Sequence, residues 1–129
     1  MEERKKRILI VEDEPGFSKV LERWLTLHGF EVRVEGTGEG ALGCALDYQP
    51  DVVLLDLKLP DMSGYDVCRN LRQQFSPWEM PVVMLTAMGS PADQLRGFAY
   101  GADAYHTKPV DLSELLKTLA MITGETATL

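Results

Sequence analysis

The stretch P-D-V-V-L-L-D-L-K-L-P-D-M-S-G, Pro50 to Gly64, decides how the rest of the chain is read. Val52 to Leu55 are four apolar residues without alternation, two of them β-branched. That pattern marks a strand covered on both faces, hence central in a sheet flanked by helices. The run continues into Asp56, so a carboxylate leaves the buried layer at the carboxyl edge of the sheet, where open α/β folds place their chemistry. Leu57 to Met62 then make a short loop stiffened by Pro60. Ser63 opens a helix as N-cap, with Asp66 completing an S-x-x-D capping pattern.

Outward from this stretch the chain alternates strand and helix five times. Ile8 to Val11 is a continuous apolar strand ending on Glu12 and Asp13. Pro15 begins a helix at N1, with Phe17, Val20, Leu21, Trp24 and Leu25 marking its buried face at spacings of three and four, and Gly29 stops it. Glu31 to Glu35 alternates polar and apolar, as an edge strand with one exposed face does. Thr37 caps a second helix facing the core through Ala41, Leu42, Ala45 and Leu46. The helix after Asp56 turns Val67, Cys68 and Leu71 inward. Phe75 to Pro81 is a loop carrying Trp78, and Val82 to Leu85 is a buried strand ending on Thr86. Ser90 and Pro91 start a fourth helix that Gly101 ends. Ala104 to Thr107 is a short fifth strand before Lys108 and Pro109. Asp111 with Glu114 makes a capping box for a last helix burying Leu112, Leu115, Leu116, Leu119 and Ile122 before Gly124. Five βα units of this kind predict a doubly wound α/β domain, a parallel sheet with helices on both faces. The domain is expected over residues 1–124, with 125–129 a tail or the start of a linker.

Composition bounds what such a domain does. The 129 residues are 45% hydrophobic and 26% charged, the balance of an ordinary globule rather than a disordered segment. A net charge of -7 and a pI near 4.8 argue against nucleic acid or an anionic membrane as a ligand of this domain. The basic start, Arg4 to Arg7, reads as a solvated lead-in to the first strand. No stretch approaches a membrane span and no signal-peptide pattern precedes Ile8, so a cytoplasmic protein is expected. Cys44 and Cys68 fall on apolar sides of helices as small buried thiols, and the Cys and His positions lack zinc spacing.

The strand ends carry the chemistry. Glu12 and Asp13 follow strand one, Asp56 strand three, Thr86 strand four and Lys108 strand five, which gathers three carboxylates, a hydroxyl and an ammonium on one edge. Carboxylates ~5 Å apart at an effective dielectric of ~20 repel by roughly 3 kcal/mol per pair, so the cluster calls for cations. Lys108 supplies one charge; a hard divalent ion with oxygen ligands, Mg²⁺, supplies the rest. Acid-bound Mg²⁺ beside a lysine and a hydroxyl suits a phosphoryl group.

At these residues the sequence resembles the receiver domains of two-component response regulators. The resemblance rests on V-E-D-E-P (Val11 to Pro15), V-V-L-L-D-L-K-L-P-D-M-S-G (Val52 to Gly64), M-L-T-A (Met84 to Ala87) and G-A-D-A-Y-H-T-K-P (Gly101 to Pro109). It implies the strand order 2-1-3-4-5. It also implies phosphorylation of Asp56 by a sensor histidine kinase or histidine phosphotransfer protein. Asp13, Asp56 and the Lys58 backbone carbonyl would bind Mg²⁺, with Glu12 acting through water. Thr86 would contact the phosphoryl group, Lys108 would pair with it, and Tyr105 would reorient on activation. The target protein or output domain would bind the face made by the fourth helix, fifth strand and fifth helix. The protein would act on itself and turn over nothing beyond its phosphodonor. Lys58 and Met88, two positions after Asp56 and Thr86, stand where the family places side chains that orient a hydrolytic water; neither can do so, which implies a slowly decaying phosphate. Glu12 departs from a common aspartate, and His106 stands where an aliphatic is usual, as a satisfied or partly exposed edge-strand histidine rather than a pH sensor.

Two other readings stand beside this one. Gly36 to Ala41, G-T-G-E-G-A, fits the dinucleotide fingerprint G-x-G-x-x-G/A, with Asp56 about 20 residues on. Its preceding strand, however, reads as an edge, and the reading leaves Glu12, Asp13, Thr86 and Lys108 without a purpose. The other reading is a binding module of the same fold that is never phosphorylated, against which the intact polar set argues.

Overall fold

The apolar runs without alternation become the middle of the sheet, and the alternating run its edge. The computed structural model describes residues 4–124; the expected tail, 125–129, lies outside them. Its elements are β1 (Arg7–Val11), α1 (Pro15–Leu27), β2 (Glu31–Glu35), α2 (Gly38–Tyr48), β3 (Val52–Leu55), α3 (Gly64–Gln74), β4 (Val82–Thr86), α4 (Pro91–Ala99), β5 (Ala104–Thr107) and α5 (Leu112–Thr123). The strands pair in parallel in the order 2-1-3-4-5. β1, β3 and β4 are the central strands, and every residue of β3 and β4 is buried.

Because side chains alternate along a strand, each central strand feeds two cores. Leu9, Val11, Val53, Leu55, Val82 and Met84 meet Ala41, Ala45, Val67 and Leu71 from α2 and α3. Ile8, Ile10, Val52, Leu54, Val83 and Leu85 meet Leu21 and Leu25 of α1 and Leu115 and Leu119 of α5. Cys44 and Cys68 are buried free thiols, and burial pushes the Cys68 thiol up to about 11.

Two apolar positions expected in the core lie outside it: Val20 is 64% exposed and Leu46 52%. α1 rotates so that Ser18, rather than Val20, is buried with Leu21 and Leu25, and α2 buries Cys44 and Tyr48 in place of Leu46. Spacings of three and four allow two neighbouring stripes on a helix, and the sheet chooses between them.

The helix starts differ in detail too. Ser63 caps α3 through the N–H of Tyr65, while the Asp66 carboxylate turns to Arg69, so no reciprocal box forms there. Asp111 accepts from Ser113 and Glu114 at the start of α5, but the Glu114 side chain reaches Lys117. The reciprocal box occurs at α4, between Ser90 and Asp93. In each departure the carboxylate has a basic neighbour one helical turn away.

Candidate functional site

Three residues of the site lie one position past the end of a strand and are still held by the sheet. The N–H of Glu12 donates to the Glu35 carbonyl (3.0 Å), that of Asp56 to Val11 (3.0 Å) and that of Lys108 to Thr86 (2.8 Å). Paired backbone groups fix where these side chains start, at a common edge.

There, Glu12, Asp13 and Asp56 each present a carboxylate oxygen, all within 4.8 Å of one another; Glu12 and Asp56 are buried and Asp13 is exposed. The Lys108 ammonium bonds Glu12 Oε1 and lies 3.5 Å from Asp56 Oδ2. Asp56 Oδ1 accepts from the N–H of Leu57 at 2.7 Å. Burial pushes the Glu12 carboxyl above its ordinary range; the bond from Lys108 opposes this and the charge of Asp56 adds to it. Burial alone would lower the Lys108 ammonium, but the Glu12 and Asp56 carboxylates together hold it above its ordinary value. One lysine against three carboxylates leaves the cluster short of positive charge. All its donors are hard oxygens, the set a small divalent cation such as Mg²⁺ takes.

Thr86 and Tyr105 meet through the backbone of one residue. Buried Thr86 accepts from the N–H of Met88 at 3.2 Å, which leaves its own hydroxyl proton to donate. The Tyr105 hydroxyl donates to the Met88 carbonyl, with its ring half-buried against the core. Burial, then the neighbouring Tyr65, pushes the Tyr105 phenol up to about 12, so it remains a donor at neutral pH. The ring fits because Gly97 of α4 has no side chain: a Cβ there would meet it at 3.0 Å. Lys58 has an exposed side chain and pairs with Ser63 across the loop after β3.

Three further residues shape this edge in roles that the sequence reading did not assign to them. A Cβ on Gly64 would lie 2.3 Å from the Asp56 carbonyl oxygen and 2.7 Å from Leu57 Cα, so only glycine lets α3 begin this close to the acid. The ring centroid of Phe17 lies 4.4 Å from Lys108 Nζ. The carboxylate of Asp61 accepts from the N–H groups of Gly38 (2.8 Å) and Glu39 (2.9 Å) at the start of α2. With Gly40 N–H on Thr37 Oγ1 at 3.0 Å, the amides that a dinucleotide pyrophosphate would use are taken by the chain itself. β2 before them is the sheet's edge, so the fingerprint of Gly36 to Ala41 is a capped turn.

With this geometry in view, similarity to known proteins is informative. The model of the response regulator receiver domain matches residues 8–120. The chain is 41% identical over 110 residues to the DNA-binding dual master transcriptional regulator RpaA of Synechocystis, covering 85% of this chain and 46% of RpaA. It is 40% identical over 116 residues to the response regulator ArlR of Staphylococcus aureus, covering 90% and 52%. It thus spans about half the length of these curated relatives. Among solved structures, the receiver domain of the sensor histidine kinase PA1611 of Pseudomonas aeruginosa, with a magnesium ion coordinated in its active site cleft, superposes with a TM-score of 0.85. The two are 30% identical, with 94% of this chain and 99% of that one covered. No helix among the described residues is long and apolar enough to cross a membrane.

Proposed function

Since the chain belongs to the response regulator receiver domain family, we propose that it is a phosphorylation switch whose phosphoacceptor is Asp56, within one receiver unit spanning residues 1–124. The observation that carries this reading is the convergence of Glu12, Asp13, Asp56 and Lys108 from three strand ends onto one point. The donor is a phosphohistidine of a sensor histidine kinase or phosphotransfer protein, and the site of action is the cytosol.

In the transfer, a carboxylate oxygen of Asp56 attacks phosphorus, the P–N bond to the donor imidazole breaks, and its electron pair leaves with the ring. Lys108, already beside Asp56 Oδ2, exchanges that contact for an oxygen of the arriving group and neutralises part of its charge. The Asp13 and Asp56 carboxylates and the Lys58 carbonyl would hold magnesium, with Glu12 acting through water, and the ion would supply the remaining positive charge. Asp56 is kept on a rigid strand end, so little reorganisation accompanies the reaction. Nothing beyond the phosphodonor is turned over.

The switch runs through Met88. The free hydroxyl proton of Thr86 is available to a phosphoryl oxygen, and a pull on Thr86 is felt by the Met88 peptide, on whose carbonyl Tyr105 sits. A phosphoryl group at Asp56 that draws the Thr86 hydroxyl inward leaves room for the Tyr105 ring to turn in, and the inward seat is the one seen here, on the Met88 carbonyl. Its ring centroid is 6.3 Å from that of Phe98, which with Leu95 is exposed on α4 (47% and 71%). Apolar groups on that surface support a protein target at the face of α4, β5 and α5. One hydrogen bond to a charged acceptor, about 1.5 to 3 kcal/mol, shifts a two-state balance by roughly ten- to a hundredfold. An output on DNA, as the name of RpaA states for that protein, would be carried by other chain segments, since this domain is acidic.

The deciding experiment is labelling with a small phosphodonor such as acetyl phosphate. Label should appear only with divalent metal and vanish in Asp56→Asn. Asp13→Asn should weaken metal binding, and Thr86→Ala should take label yet lose the response of partner affinity to phosphate. Full labelling of Asp56→Asn would overturn the assignment, and a wild type that never labels would favour the unphosphorylated binding module.

A further inference from the structure

Lys108 reaches the acid cluster from the loop after the edge strand β5, on a long side chain that stays partly open to solvent. A flexible, strongly hydrated ammonium at such a position has many places to be other than beside Asp56. Glu12 and Asp56 engage two of its three donors. The Phe17 ring lies under the ammonium, with its centroid 4.4 Å from Nζ, well inside the range of about 6 Å over which an aromatic face attracts a cation. Phe17 is the third residue of α1, a helix whose start is set by Pro15 at N1, so the ring is anchored independently of β5.

We propose that Phe17 is a positioning residue for the phosphorylation chemistry, holding the Lys108 ammonium at Asp56 through its aromatic face. This rests on the phosphoacceptor reading above. A ring face attracts an ammonium without fixing the direction of its N–H bonds. Lys108 can therefore trade a carboxylate oxygen for a phosphoryl oxygen while it remains over Phe17. The ring also replaces water on that side of the ammonium, which strengthens its pull on the charge arriving at Asp56. Apolar bulk alone would fill the same space and provide neither effect, and this separates the proposal from ordinary packing against the α1 and α5 core.

The test compares the full chain with Phe17→Leu, which keeps apolar bulk, and Phe17→Tyr, which keeps the ring. In proton NMR the ε-methylene of Lys108 should be shifted upfield by the ring current in the wild type and in Phe17→Tyr, and should return to an ordinary lysine position in Phe17→Leu. With magnesium saturating, affinity for beryllofluoride should fall about three- to tenfold in Phe17→Leu and recover in Phe17→Tyr. An ε-methylene at the same shift in Phe17→Leu, or equal beryllofluoride affinity in all three folded proteins, overturns the proposal. A wild type that takes no beryllofluoride overturns the phosphorylation reading itself, and the ring-current shift then decides separately whether Phe17 holds Lys108.

Discussion

Two places on the carboxyl edge look like ligand sites by their letters, the glycine-rich start of α2 and the acid cluster beyond β1 and β3. At the first, three successive amides are already met: Gly38 and Glu39 donate to Asp61, and Gly40 donates to Thr37. At the second, three carboxylates converge and one lysine pairs with two of them. The first is a turn that has closed on itself, and the second is a charge imbalance the fold holds in place. A motif therefore signals function where the fold holds charge that its own groups do not balance, and not merely where the spacing is right.

The contrast is broken most severely at Gly64. A Cβ there meets backbone atoms of Asp56 and Leu57 at 2.3 and 2.7 Å, and backbone cannot swing aside as a side chain would. Gly64→Ala should cost about 1 to 3 kcal/mol of stability by overpacking. It should also reduce labelling of Asp56 at least tenfold, measured at a temperature where the variant is folded. Normal labelling in a destabilised variant would mean that the acid's position does not depend on this close approach.

Next in size is the lifetime of the label. Met88 is engaged through its backbone on both sides, by Thr86 and by Tyr105, and the Lys58 side chain is exposed. Both side chains can therefore be changed without touching the bonds that build the site. Lys58→Asn with Met88→Glu supplies groups that can orient a water, and should shorten the lifetime of the aspartyl phosphate tenfold or more, about 1.4 kcal/mol off the barrier. An unchanged decay with magnesium saturating would assign control of hydrolysis to the backbone.

At the closed site the expected effect is smaller and of a different kind. The amides of Glu39 and Gly38 hold the Asp61 carboxyl below its ordinary range. A depressed acid adds stability above its unfolded value, and that stability is lost as pH falls through the folded value. Asp61→Ala should lower the thermal midpoint by a few degrees at neutral pH, lose that difference in acid, and leave labelling of Asp56 within about twofold. A variant that stopped labelling would make the two places one site.

Much of this was legible along the chain because it depends on local pattern. The central strands announce themselves as apolar runs, and the residues at their ends must share an edge once the strands are parallel. Asp56, Glu12, Asp13, Thr86 and Lys108 follow from that alone. What escaped depends on distance through space. Val20 and Leu46 have core-like spacing, but the sheet selects the neighbouring stripe of each helix. Phe17 reads as one more core residue until β5 carries Lys108 to it, and Asp61 gives no sign that its partners lie more than twenty residues earlier. The capping boxes written at Ser63 and Asp111 did not form and one formed at Ser90; in the first two the acid is paired with Arg69 or Lys117.

The smallest effect asks to which class His106 belongs. Its Nε2 is hydrogen-bonded with Thr118 Oγ1 at 2.8 Å, and that hydroxyl is also 3.1 Å from the Glu114 carbonyl. Burial lowers the His106 pKa below the ordinary 6.5, against the pull of Glu114 and Asp111. The unfolded chain then takes up its proton first as pH falls. Stability is lost as pH drops below 6.5, and the loss is complete once pH passes the depressed folded value. A histidine of this kind is satisfied by its own chain, like Asp61, and should touch stability alone. The thermal midpoint of His106→Val should therefore fall less than that of the wild type between about pH 7.5 and about pH 5, with the pH profile of Asp56 labelling unchanged. Parallel midpoint curves would mean that His106 carries no linked proton, and a shifted labelling profile would move it to the side of the acid cluster.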